Sequence, residues 1–488
     1  VQTKRDHLQA YRFIRRRAAY ALLRAEPDTA ETPLRTLGLA TVAGLVVFGL
    51  LAAGAGIWGV IRPTGARDWR DPGKIIVEKE TGARYVLTDG VLHPVLNYAS
   101  ARLLAGSGAG TTAAVPRSRL AGVPRGLPVG IPGAPDTLAA AADLVAGPWV
   151  ACAGQQTDDA GVPMPTVALS IGAMPAGREL GGGEALLVSG RDSTRYLVWA
   201  GHRYRLAGDS VAGALGYAAS TPVPVGAAWL DAVPPGPDLA PPDLPRRGDT
   251  GPEIGGRPSR VGQVLVSTGT GTGTADSYYL VLPDGLASLT PTGAALVLGD
   301  PRSRAAYPGA VVAAVSVAAA DTAAASTSGT APLPAGLPPA PPRLLDPGPA
   351  QVCAGYAQPP GPDPVPTVLI DALPPAAGRT ASTDLPPAGG PEAGATDLAD
   401  RVWLPPGRAA VVQALPALGA TTGTRYLITD LGVRFPVPSA DVLTALGYAG
   451  VAPTPVPWLL LRLVPVGPPL DPAAARTYQP PAAATTPP

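Results

Sequence analysis

Hydrophobic and polar positions follow three patterns along this chain. From Gly38 to Ile61 the sequence reads GLATVAGLVVFGLLAAGAGIWGVI, 24 residues without a charge or a proline. At about 1.5 Å per residue, a helix of this length crosses a hydrocarbon layer of roughly 30 Å. It lacks the polar stripe of a buried soluble helix. Arg35 and Arg62-Pro63 flank it, and Trp58 stands near one end, where an indole favours the interface. One transmembrane helix is predicted over residues 38–61, with a core helix as the alternative. A cleaved leader would carry a shorter apolar core, about 7–15 residues, close to the N-terminus. Here the core follows a 37-residue tail, which favours an uncleaved anchor.

In the tail, Leu8, Tyr11, Ile14, Ala18 and Leu22 recur at helical spacing beside Arg12, Arg15, Arg16 and Arg17. A basic amphipathic helix is predicted over residues 6–24. It would lie on an anionic leaflet, dock on a cytoplasmic partner, or present a solvated face that only sets topology. Within about 20 residues of the span, basic residues are more numerous on the far side than in the tail, but the tail carries eight in all. A long domain translocates with little regard to its charge, so the N-terminus is placed in the cytoplasm and everything from Arg62 onward outside.

After the span, short β-type runs alternate with turns. One pattern occurs four times. A tyrosine closes a β-type run, a turn follows, and a second short strand leads into a helical patch ending on leucine. The tyrosines are Tyr85, Tyr196, Tyr279 and Tyr426, and the closing leucines are Leu104, Leu215, Leu298 and Leu446. An apolar run precedes each copy, as in Ile75-Ile76-Val77 and Leu186-Leu187-Val188. Gly90, Gly201, Gly285 and Gly432 supply the positive φ of the tight turns. A unit this small cannot bury its own apolar face, so copies must pack on one another or on a shared core. Repeats are expected at about residues 74–106, 184–218, 262–300 and 408–449.

A second duplication relates two halves, roughly 74–240 and 258–470. Cys152 and Cys353 each precede a Pro-x-Pro-Thr-Val segment, with fourteen residues from Cys to Thr in both. Leu215-Gly216-Tyr217 with Pro222 and Pro224 matches Leu446-Gly447-Tyr448 with Pro453 and Pro455. Central core segments are expected at about 148–175 and 350–373, together with strands after the second and fourth repeats. If the halves pack about a pseudo-twofold axis, the equivalent cysteines face each other and a disulfide is the expected outcome. Two free buried thiols are the alternative. Closing such a loop would stabilise by up to about 5 kcal/mol. The fold class is therefore mainly β with short helices (α+β): an N-terminal transmembrane helix and a body of four β-rich repeats around a central core, pseudo-twofold and propeller-like.

Composition changes this picture little. Proline (62) and glycine (60) make one residue in four, which suits short strands and many turns. Residues 320–349, 374–399 and 471–488 read as linkers or disorder, with an extended recognition tail as the alternative for the last. A formal net charge of +1 implies no nucleic-acid partner. Candidate chemistry is scarce. The three histidines, His7, His93 and His202, are scattered, and His93 occupies a position filled by Tyr204 and Phe435 in other repeats, which points to packing. There is no HExxH, CxxC or GxSxG motif, so no catalytic residue, metal site or cofactor is identified. The glycine-rich loop Ser267–Asp276 lacks the Lys-Ser/Thr of a phosphate loop and reads as an elongated hairpin turn.

Several segments resemble one family. Tyr11-Arg12-Phe13, Ala21-Leu22-Leu23-Arg24, the anchor ending Ile61-Arg62-Pro63, Leu92-His93-Pro94-Val95-Leu96-Asn97, Ala99-Ser100-Ala101-Arg102-Leu103 and Gly130-Ile131-Pro132-Gly133-Ala134-Pro135 look like EccB, the membrane-anchored core component of the type VII (ESX) secretion system. The resemblance spans essentially the whole chain. It implies a cytoplasmic tail (1–37), one pass through the inner membrane (38–61), a periplasmic domain (62–470) and a disulfide between Cys152 and Cys353. As partners it implies EccC (the motor ATPase), EccD, EccE, the mycosin protease, membrane lipids and further EccB copies in a hexameric machine. A structural subunit for protein export is the leading function. An ATP hydrolase, a label some members carry, and an anchored cell-wall-binding module are the alternatives. Trp149, Trp199, Trp229, Trp403 and Trp458 are too scattered to form an obvious glycan platform.

Overall fold

The computed structural model describes residues 3–24, 33–61, 68–106, 111–157, 160–268, 276–347, 351–357, 365–372, 379–380, 398–416, 420 and 422–479. The chain divides into two units, Val1–Trp69 and Arg70–Pro488.

The first unit holds two helices. Lys4–Arg24 is the basic amphipathic helix the sequence predicts, and Leu8, Tyr11, Phe13 and Ile14 on it are exposed. The second, Pro33–Ile61, covers the apolar run. Its side chains are described for residues 39–53, where every one is exposed. Among the described residues, no helix is long and apolar enough to cross a membrane. Gly38 and Ile61, the ends of the expected span, lie outside the described side chains.

The second unit is built from four copies of one small sheet. In the first copy, Ile75–Glu78, Arg84–Thr88 and Val91–Pro94 pair antiparallel, and helix Tyr98–Ala105 follows. The other three copies begin at Glu184–Ser189, Val264–Ser267 and Ala409–Leu415 and run the same way. At the tight turn of the first copy Asp89 and Gly90 both have positive φ, 51° and 77°. That pair of angles matches the twist of a two-residue hairpin, and the glycine adopts it without strain.

Each sheet has a fourth strand; the sequence predicts one after the second and fourth repeats, as part of the central core, and none after the first and third. Thr112–Val115, Val223–Pro224, Val315–Val317 and Thr454–Pro457 each pair parallel with the first strand of their repeat. Two to four residues long, these strands carry Pro224, Pro455 and Pro457. Proline is tolerated there because an edge strand leaves one row of N–H groups unused.

The opposite edge is closed by a proline-rich strap. Leu92 N–H donates to Pro124 O at 2.8 Å, and Gly126 N–H donates to Leu92 O at 2.9 Å. Arg203 makes the same pair of bonds with Pro234 and Gly236, and Arg434 with Pro465 and Gly467. In the third repeat Leu286 makes it with Ser326 and Ser328. Covering the edges removes the unpaired strand that would otherwise template aggregation. The strap glycines lie under rings. A Cβ at Gly126, Gly236 or Gly467 would come within 2.2, 2.5 or 2.4 Å of the rings of His93, Tyr204 or Phe435. Gly467→Ala is therefore expected to lower stability by about 1–3 kcal/mol, the scale of core overpacking, as a reduced urea midpoint of the full chain. An unchanged midpoint would mean that the Phe435 ring moves freely.

Between the halves runs a seven-stranded sheet in the order Arg379–Thr380, Arg401–Trp403, Pro163–Ile171, Trp149–Thr157, Gln351–Tyr356, Thr367–Ala372, Arg178–Glu179. This corrects the propeller-like expectation: a continuous sheet fills the place where blades would leave a channel. Its apolar residues, with those of the second and fourth repeats, form one core around the fully buried Trp149 and Trp229.

Two stretches expected to be linkers are ordered. Across residues 320–347, Leu333, Leu337 and Leu344 pack on the second repeat, and Arg343–Leu344 adds a strand to it. From Asp471, helix Pro472–Ala475 packs on helix Tyr98–Ala105, with Ala475 fully buried. Proline and alanine supply the shape for these packed segments, and composition alone does not distinguish them from a free linker. Most of 374–399, and residues 480–488, lie outside the described residues.

Candidate functional site at the crossing of the two halves

The two halves are interlaced rather than merely adjacent. Apolar residues of the first repeat (Ala99, Leu103) share a core with those of the fourth (Leu427, Phe435, Leu443, Leu446). In the same way Leu296 of the third repeat joins the core of the second. The first repeat of each half thus packs on the second repeat of the other half. The segments leading to each cysteine make the crossing. Leu144 bridges Ala409, and Val145 N–H donates to Ala409 O at 2.8 Å. Leu344 pairs with Ala185, and Leu345 N–H donates to Ala185 O at 2.9 Å.

The Gly-Tyr repeat in the sequence acquires its role here. Tyr448 Oη donates to Ala139 O at 3.0 Å, and Tyr217 Oη donates to Pro342 O at 2.8 Å. Each tyrosine of one half holds the crossing segment of the other. Burial raises both hydroxyl pKa values, that of Tyr448 to about 12, so both remain donors.

On the axis, Cys152 and Cys353 are opposite residues of neighbouring antiparallel strands and are bonded, with Cα atoms 4.0 Å apart. Both are buried. A second link was not read from the sequence. Asp231 pairs with Arg462 of the other half and lies 3.5 Å from Arg203 of its own. These positions obey a constant offset of 231 residues: Tyr217 to Tyr448, Arg203 to Arg434, Asp231 to Arg462. Opposite charges at equivalent positions were the available signal, because groups related by an axis can meet across it.

The family-like segments also converge. Asn97 Oδ1 accepts from Ser100 N–H at 3.0 Å, capping helix Tyr98–Ala105, while Asn97 Nδ2 donates to Ile131 O at 2.7 Å. Ser100 Oγ accepts from Ile131 N–H at 2.9 Å. Arg102 Nε reaches Ala445 O in the fourth repeat at 2.9 Å. Two segments about 30 residues apart form one lock between the first and fourth repeats.

The residues considered for chemistry are not brought together. His93 Nδ1 lies 3.0 Å from Leu127 O, and His202 Nδ1 lies 3.1 Å from Ala200 O. No cluster of three or more His, Cys, Asp or Glu fit for a metal exists among the described residues. In the glycine-rich loop, residues 269–275 lie outside the described residues. A pocket between Thr137–Ala139 and Gly407–Ala409 has a volume of about 70 Å³, well below the roughly 300 Å³ at which ligand pockets begin.

The family model described as "Type VII secretion system ESX-1, transport TM domain B" matches residues 1–481, and the chain belongs to this EccB family. It is 31% identical to the ESX-3 secretion system ATPase EccB3 of Mycolicibacterium smegmatis, over 96% of this chain and 89% of that one. Identity to the ESX-1 secretion system ATPase EccB1 of Mycobacterium tuberculosis is 28%, over 97% and 94%. Among solved structures, a chain of an intact ESX-5 inner membrane complex matches with TM-score 0.68 and 27% identity, covering 100% of this chain and 98% of that one. A chain of an EccB3 dimer from the ESX-3 core complex matches with TM-score 0.64 and 30% identity, over 83% and 99%.

Proposed function

We propose that this chain is a structural subunit of a type VII secretion inner membrane complex, with its cross-braced body as a scaffold for protein export. The observation that carries the reading is the full-length match to a chain of an intact ESX-5 inner membrane complex. Interlacing supports it: halves tied by a disulfide, a charge pair and reciprocal tyrosines transmit load without opening. In this reading residues 38–61 are the single membrane pass, the basic helix stands at the cytoplasmic side near lipid headgroups, and residues 62–470 form the periplasmic domain. EccC, EccD, EccE, the mycosin protease and further copies of this chain are its partners.

ATP hydrolysis is not part of the proposal, although the relatives carry that name. A phosphate loop needs Lys-Ser/Thr after its glycines, and the chain has no Gly-Lys-Ser or Gly-Lys-Thr. Blue-native electrophoresis after mild detergent extraction is expected to find the chain in a very large complex. A lone monomer would overturn the scaffold reading. ATP turnover by the purified full chain, lost when residues 267–276 are deleted, would favour the hydrolase instead.

A further inference from the structure

Among the described residues, no acid pairs with the Arg434 guanidinium. The residue is 7% exposed, and among the described residues neither Nε nor Nη1 has a hydrogen-bond partner. Its neighbours are aromatic: Cζ lies 5.2 Å from the ring centre of Tyr426 and 4.8 Å from that of Trp458.

The pseudo-twofold explains the missing acid. At the equivalent place in the first half, Arg203 lies 6.0 Å from the Tyr196 ring and 3.5 Å from Asp231. The counterpart of Asp231 is Arg462, which crosses the axis to the same Asp231. One carboxylate serves Arg203 and Arg462, and among the described residues Arg434 has ring faces where Arg203 has an acid. Burial pushes the Arg434 pKa down, but a guanidinium stays charged at any ordinary pH. Buried charges are normally paired, and ring stacking offsets only part of the lost solvation. Trp458, whose ring lies against the guanidinium, is itself 36% exposed, and Leu459 beside it is 37% exposed. The guanidinium therefore lies against a partly exposed indole.

We propose that Arg434 is the receiving group for an oxyanion, a carboxylate or phosphate, that enters beside Trp458 and supplies the counter-charge Asp231 supplies in the other half. The oxyanion comes either from solution or from an acidic side chain of another protein chain. The experiment has one arm for each source. In the first, the purified full chain is melted at constant ionic strength while phosphate or acetate replaces chloride. A free anion predicts a rise in melting temperature of about 3 °C, lost in Arg434→Met and kept in Arg203→Met. In the second, native membranes are extracted and the large complex is quantified. An acidic side chain predicts a several-fold loss of complex in Arg434→Met, with the isolated chain insensitive to anions.

Arg434→Met is also expected to melt no lower than the parent in anion-poor buffer, because an apolar side chain of similar length replaces an unpaired charge. A markedly lower melting point would overturn the proposal by making the ring stack a purely structural device. Failure of both arms to respond to Arg434→Met would overturn it too, as would equal loss of the anion response in Arg203→Met.

Discussion

Replacing Cys152 and Cys353 together by alanine is expected to lower the stability of the body by about 2–5 kcal/mol, seen as a reduced guanidinium midpoint of the full chain. The bond spans 201 residues of sequence, so its loss frees a long loop in the unfolded chain, the case in which a cross-link restricts most. Both cysteines are buried on the axis between the central strands. A reductant therefore reaches them only after unfolding, and the folded oxidised protein is expected to resist dithiothreitol on a non-reducing gel. A double variant within about 1 kcal/mol of the parent would show that the reciprocal crossing segments hold the halves without the bond.

The second large effect is expected at the charge pair. Asp231→Ala removes the carboxylate that Arg203 and Arg462 share. Breaking a fully buried pair in this way costs about 3–5 kcal/mol. Here the side chains are 21–26% exposed, so solvent screens part of the effect and a loss of about 2 kcal/mol is expected. The double variant Asp231→Ala with Arg462→Met should lose less than the sum of the single changes, a coupling read from a double-mutant cycle. Strict additivity would mean that the two residues meet without supporting the fold. Because these groups lie on the axis, the same variant is expected to weaken contacts between the halves and to leave the single-repeat sheets intact, as reported by the breadth of the unfolding transition.

Much of the local fold was legible. The tyrosine-to-leucine spacing located all four repeats, since a hairpin followed by a helix has a fixed length between its apolar anchors. The cysteines, twinned in sequence, faced each other in space because strand pairing across a pseudo-twofold places equivalent residues opposite. The sequence points to packing for His93, and its ring lies over Gly126. Strands after the second and fourth repeats are expected from the sequence and are present, but the fourth strands of the first and third sheets, the straps and the ordered stretch at 320–347 were not legible. The straps and the stretch at 320–347 are rich in proline, alanine and glycine, and the short strands carry threonine, valine and proline, a composition that is the same in a docked segment as in a free one. Their order comes from hydrogen bonds to Leu286 and from the hydroxyls of Tyr204 and Tyr217, which reach Gly336 O and Pro342 O. The straps did leave a trace, a Pro-x-Gly in three of the four repeats (Pro124, Pro234 and Pro465).

By itself the sequence determined the units of this protein: an apolar helix, a basic helix, four like sheets and two like halves. Hydrophobic periodicity and chain duplication are local or self-referential, and both can be counted along a line. Only the tertiary structure decided which unit meets which. The first repeat pairs with the fourth and the second with the third, because each crossing segment enters the other half before reaching its cysteine. That choice depends on where apolar faces find matching faces in space. It is also what leaves Arg434 without an acid among the described residues while its counterpart Arg203 has one.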